Sequence, residues 1–134
     1  IIFPEFNCEN PDMKNPDYNT ELGIYKKNCG MDNLHCSWGH DEYLYTILKS
    51  DKNPNKLPDE ALYIARFHSL YLYHDKKEYF NFQSEKDKTM FPILKEFNKY
   101  DLYSKCDEIY DKDKLKEYYT GLINKFFKND FLYI

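Results

Sequence analysis

A chain of 134 residues with 42% hydrophobic and 31% charged side chains can bury one core and is too apolar for a disordered tail. Its formal charge of −4, with lysines dispersed among acids, leaves no basic stripe for a nucleic acid. Aromatic residues reach 19%, most of them Tyr, so thick aromatic packing with hydroxyl handles is expected.

Residues 1–36 carry Pro4, Pro11, Pro16, Gly23 and Gly30 among Asn and Asp. Asn10-Pro11-Asp12 and Asn15-Pro16-Asp17 are turn signals, and the segment reads as irregular chain without a long regular element. Cys8, Cys29, Cys36 and Cys106 are even in number, but no C-x-x-C and no signal peptide accompanies them. Reduced thiols and a cytoplasmic location are expected. Cys29 and Cys36 are spaced too widely for a zinc knuckle. The longest apolar runs, such as Leu70-Tyr71-Leu72-Tyr73, are far too short to span a bilayer. The chain starts at Ile1 rather than Met, a hint that sequence lies upstream.

The first helix is expected over residues 39–49, with Ser37 as N-cap and Asp41 and Glu42 in the first turn. Ser50 to Lys56 is a polar loop. A second helix begins at Pro58, placed in its first turn, and runs to His74. Ser84-Glu85-Lys86-Asp87 has the form of a capping box opening a third helix towards Tyr103, which Pro92 should bend or restart. A fourth helix fits residues 111 or 113 to 128, with Leu115, Tyr119, Leu122 and Phe126 on one stripe and Gly121 weakening it. No segment alternates with period two, so the fold class is all-α.

Three ionisable groups fall on apolar helical stripes. His40 aligns with Leu44, Ile47 and Leu48; His68 with Ala61, Ile64 and Leu72; Asp101 with Met90, Leu94 and Phe97. A histidine on such a face is more often a satisfied core residue than a ligand. For Asp101 the plain partner is Lys105, one turn later. Together, two imidazoles and a carboxylate from separate helices form a donor set suited to redox iron. Asp41 follows His40, but adjacent helical residues point about 100° apart, so it is read as a first-turn acid or a group that orients a neighbour. His35 and His74 read as surface or structural. Arg66, the only arginine, is expected to pair bidentately with an acid such as Glu60 or Asp101. Ser69 is either an internal helix hydroxyl or a substrate contact. None of this names a substrate.

Specific strings go further. Ser37-Trp38-Gly39-His40-Asp41-Glu42-Tyr43-Leu44-Tyr45, Arg66-Phe67-His68-Ser69 and Glu96-Phe97-Asn98-Lys99-Tyr100-Asp101-Leu102-Tyr103 resemble the C-terminal half of the myo-inositol oxygenase family. Asp17-Tyr18-Asn19-Thr20-Glu21-Leu22-Gly23-Ile24-Tyr25 and Tyr118-Tyr119-Thr120-Gly121-Leu122-Ile123 look like the same family, in the right order.

The resemblance implies an HD-domain-like helical bundle, here its C-terminal portion with an irregular N-terminal segment. It also implies a monomer holding two irons per complete site and no organic cofactor. The reaction implied is four-electron ring cleavage of myo-inositol with O₂ to D-glucuronate. On the matching positions His40 and His68 would bind one iron and Asp101 the other. His68 and Ser69 would lie against the substrate, and Lys105 is added near the inositol hydroxyls from its place one turn past Asp101. The family's first histidine, its His-Asp pair and a substrate lysine have no match in residues 1–36, so the chain holds three of the six protein ligands. Two other readings stand beside this one: an HD-type metal-dependent phosphohydrolase, and an inactive truncated helical binding module.

Overall fold

The computed structural model describes residues 4–101 and 110–134, and their architecture is all-α. The irregular start is borne out. Among its described residues the regular elements are short 3-10 turns at Pro4–Asn7, Pro11–Lys14 and Met31–Asn33. The side chains of Asn10 and Asn15 each accept the amide N–H two residues on, at 3.0 Å, as the Asn-Pro-Asp strings require. Its last stretch is nevertheless core: Met31 and Leu34 are buried against Tyr63, Phe67, Tyr73 and Leu94.

Helix α1 covers His40–Lys49. Gly39, not Ser37, is its N-cap, and no side chain caps it. Asp41 takes the first-turn amide of Glu42 instead, at 3.0 Å. The stripe expected along α1 is only partly covered, since His40 and Leu44 are exposed and Leu48 is buried. At the other end, Asn53 and Asn55 donate to the carbonyls of Ile47 and Leu48 at 3.0 and 2.7 Å, closing orphan acceptors of the last turn.

Helix α2 covers Asp59–Phe67, with Pro58 as its N-cap rather than inside it. It does not reach His74. The chain breaks at residues 68–70 and resumes as a single turn, α3, at Tyr71–His74. Leu70 has φ −82° and ψ 64°, and the Tyr71 N–H returns to the Ser69 carbonyl at 2.9 Å, an inverse γ-turn. The break has a physical cause. Buried His74 donates its Nε2–H to the His68 carbonyl at 2.9 Å, the acceptor that a continuing helix would have offered to residue 72. Leu72 therefore leaves the stripe and is 49% exposed, while Tyr63, Phe67 and Tyr73 form the true core face.

Helix α4 covers Glu85–Asp101 and runs through Pro92, whose side is exposed to water. Its capping box is real: Ser84 N–H bonds Asp87 Oδ2 at 2.8 Å, and the Asp87 N–H reaches back to Ser84 Oγ at 3.4 Å. Asp87 is 1% exposed and takes two more donors, the Met31 N–H at 3.1 Å and the Tyr63 hydroxyl at 3.0 Å. The Tyr63 and Tyr73 hydroxyls lie 3.1 Å apart, and Gln83 donates to Tyr73 at 2.9 Å. One buried carboxylate thus ties the N-terminal segment, α2, α3 and α4 together.

Helix α5 covers Lys112–Phe126, capped by the Asp111 side chain on the amides of Asp113 and Lys114. Its expected stripe is not buried: Leu115 and Tyr119 are exposed, and Leu122 and Phe126 half-buried. Its C-terminal end is pinned by the Lys56 N–H on the Phe126 carbonyl at 2.7 Å and by an isolated antiparallel bridge between Asn55 and Phe127. Among the described residues no helix is long and apolar enough to cross a membrane. Lys105 and Cys106 lie outside the described residues.

Candidate metal centre

His40 opens α1, and His68 follows the last residue of α2. The two helices pack side by side, and a clasp sets their register. Arg66 Nε donates to Glu42 Oε2 at 2.7 Å and Nη2 to Glu42 Oε1 at 3.0 Å, a bidentate fork. Its Nη1 also reaches Asp32 Oδ1 at 3.1 Å, and its guanidinium lies 4.6 Å from the centroid of the Tyr45 ring. The expected arginine fork exists, but its acid is Glu42, not Glu60 or Asp101. Burial works to lower the Arg66 pKa, yet the Glu42 and Asp32 carboxylates outweigh it and hold the guanidinium above its ordinary value.

With that register, His40 Nε2 and His68 Nε2 stand 3.1 Å apart, their rings crossing edge to face at 81°. His68 Nδ1 lies 3.1 and 3.2 Å from the carbonyls of Ala65 and Ile64. Carbonyl oxygens only accept, so Nδ1 carries a proton, and the tautomer this selects has its lone pair on Nε2. A backbone carbonyl on the far nitrogen is the usual outer support of a metal-bound histidine. Two nitrogens each about 2.1 Å from one divalent ion and at right angles lie about 3 Å apart. The separation of the pair and the tautomer of His68 therefore fit two ligands of one ion.

Asp101 closes α4. It is half-buried and accepts from the Tyr71 hydroxyl at 3.3 Å, while Phe97, one turn earlier, sets its ring 6.3 Å from that of His68. It therefore lies at the same end of the fold without joining the pair. Among the described residues no three His, Cys, Asp or Glu side chains are grouped so as to hold a metal ion.

Ser69 is the second element that sequence reasoning left open. Its hydroxyl donates to Asp41 Oδ2 at 2.5 Å. Asp41 is therefore both the first-turn acid and the orienting group expected of it, accepting the Glu42 N–H and the Ser69 hydroxyl. Burial works to raise its carboxyl pKa, but the Ser69 hydroxyl, two backbone N–H groups and His40 hold it below the ordinary value. His74, expected as surface or structural, is the buried support of the His68 carbonyl. His35 is exposed, and its N–H donates to the Tyr25 hydroxyl at 2.9 Å.

The family model described as myo-inositol oxygenase matches residues 1–133. The chain is 49% identical over 118 residues to inositol oxygenase of Homo sapiens, covering 88% of this chain and 41% of that protein. It is 51% identical over 127 residues to inositol oxygenase of Danio rerio, covering 94% of this chain and 45% of that protein. With inositol oxygenase of Dictyostelium discoideum it shares 49% identity over 129 residues, 96% of this chain and 44% of that protein. The chain spans less than half the length of these relatives. A match across nearly every residue, with the two histidines meeting at the end of the fold, leaves one conclusion: the chain belongs to the myo-inositol oxygenase family.

Proposed function

We propose that this chain forms part of a non-haem iron oxygenase that converts myo-inositol and O₂ to D-glucuronate. His40 and His68 hold one iron, Asp101 binds the second, and His68, Ser69 and Lys105 line the inositol. The observation that carries this is the 3.1 Å approach of two Nε2 atoms, with the far nitrogen of His68 supported by backbone carbonyls. Iron held there would supply Lewis-acid activation of a polyol hydroxyl and electron transfer with O₂. The protein's own part is orientation. The carbonyls of Ile64 and Ala65 hold the His68 ring, and Ser69 presents its oxygen beside it. Cys8, Cys29 and Cys36 are free thiols, which suits the reducing cytoplasm.

The phosphohydrolase reading needs a cation free to meet a phosphate. Arg66 is already committed to Glu42 and Asp32, which weakens it.

The test is iron content and inositol-dependent O₂ uptake of the full-length protein carrying this chain. Iron loading and uptake on adding inositol are expected, with His40→Ala and His68→Ala each losing iron. The 134-residue chain alone, with three of the family's six ligands, is expected to bind iron weakly and show no turnover. Phosphate release from a nucleotide panel without O₂ uptake would overturn the reading.

A further inference from the structure

Two dipeptides meet across the end of α1. His40 faces His68 at 3.1 Å, and the next residue of each pair, Asp41, faces Ser69 at 2.5 Å. The second rung has a definite polarity. A serine hydroxyl offers one proton and two lone pairs, and an ionised carboxylate only accepts. Ser69 therefore gives its single proton to Asp41 and keeps only lone pairs for anything else.

Asp41 is itself held in place. Its Oδ1 accepts the Glu42 N–H at 3.0 Å. That oxygen also occupies the space of a missing side chain, since a Cβ on Gly39 would stand 2.7 Å from it. Gly39 has φ −114°, which any residue adopts, so the glycine serves the carboxylate and not the backbone. Both Asp41 and Ser69 are half-buried, and the serine follows His68 in the break between α2 and α3.

We propose that Asp41 is a positioning residue for substrate choice: by taking the Ser69 proton it fixes that hydroxyl as an acceptor, so the site reads an O–H donor on the polyol and rejects a group of similar size that only accepts. This rests on the inositol reading above. The chemistry it selects is a free hydroxyl facing Ser69, against fluorine at the same carbon.

The experiment uses the full-length, iron-loaded protein and equilibrium binding by calorimetry. The probes are myo-inositol and the set of mono-deoxyfluoro-inositols, in which one O–H is replaced by an acceptor-only atom. Wild type is expected to bind inositol and to disfavour at least one fluoro analogue by about tenfold or more. In Asp41→Asn, which keeps the shape but replaces the acceptor-only carboxylate, that ratio falls to within about threefold. Ser69→Ala gives the same collapse, and the double variant Asp41→Asn/Ser69→Ala adds nothing further, because one residue acts through the other. A wild-type ratio retained in Asp41→Asn, or additive losses in the double variant, overturns the proposal and leaves the inositol reading standing. If the wild-type protein binds no inositol at all, the inositol reading fails and this proposal falls with it.

Discussion

Truncating Asp87 tests what holds the site-bearing helices. The carboxylate is 1% exposed and takes four donors: the Met31 N–H, the Ser84 N–H and hydroxyl, and the Tyr63 hydroxyl, at 2.6 to 3.1 Å. In Asp87→Ala the half-buried Ser84 can turn to water, but the donors of buried Met31 and Tyr63 cannot. Each stranded buried donor costs about 1–3 kcal/mol, and losing the capping box adds about 1 kcal/mol, so about 4 kcal/mol is expected. That is a large share of the roughly 5–15 kcal/mol that holds a domain together. Asp87→Asn should cost about half as much, for a directional reason. The Gln83 amide donates to Tyr73, Tyr73 to Tyr63, and Tyr63 to Asp87, so every proton points at the carboxylate. An amide NH₂ facing Tyr63 reverses the last step and strands one buried hydroxyl proton, worth about 2 kcal/mol. The assay is urea unfolding of the full-length protein followed by far-UV circular dichroism, read as a fall in midpoint at constant slope. If both variants unfold within about 1 kcal/mol of wild type, the hub reasoning is refuted; if Asn costs as much as Ala, the directional chain is refuted.

Three further outcomes follow from other contacts. Burial first, and then the Tyr73 and Asp87 neighbours, push the Tyr63 pKa far above the phenolic range, and burial raises that of Tyr73. Above about pH 10 the unfolded chain loses these protons while the folded one keeps them. The stabilisation is therefore complete below that pH and lost above it, at up to about 1.4 kcal/mol per pH unit for each tyrosine. Absorbance at 295 nm should show these two phenols titrating only with unfolding, and early titration of all 14 tyrosines in folded protein would contradict this. Arg66→Lys keeps the charge but loses the fork, so a stability loss of about 1–2 kcal/mol and a roughly tenfold drop in iron affinity are expected, measured by thermal melting and metal titration. Unchanged affinity would show that the clasp does not set the histidine register. Gly39→Ala puts a Cβ 2.7 Å from Asp41 Oδ1, so inositol binding should weaken while the melting temperature moves little. An unaltered inositol affinity would show that the carboxylate can shift without consequence.

Parts of this fold were legible because they depend on neighbours in sequence. The Asx turns at Asn10 and Asn15, the Ser84–Asp87 box and the Asp111 cap each need only residues within one turn. The site was partly legible from residue type rather than neighbourhood: His40 and His68 meet across 28 residues and Arg66 forms a fork, though with an acid the sequence did not single out. The break at residues 68–70 was not legible. Tyr71 to His74 carries ordinary helical periodicity, and what ends the helix is a tertiary bond from buried His74 to the His68 carbonyl. The apolar stripes misled in a related way. Periodicity says that a face is apolar but not what covers it. Leu44, Leu72, Leu115 and Tyr119 all lie on such stripes and are exposed. Asp41 was legible as a first-turn acid or an orienting group, and it is both, but its partner Ser69 lies 28 residues away and was not legible.

The apolar stripes therefore do not explain why the two histidines meet. His40 is exposed, so desolvation cannot be what brings it to His68. Register can. Glu42 lies two residues after His40, and Arg66 two residues before His68, so a fork between 42 and 66 brings 40 and 68 to the same level of the antiparallel pair. Asp87, through Tyr63, anchors α2 from the core side, and Asp41, through Ser69, fixes the far end. Beside the carbonyls on His68 Nδ1, three contacts that involve neither ring set the 3.1 Å approach of the imidazoles. The register of the two helices, rather than burial, is thus what preorganises the imidazole pair.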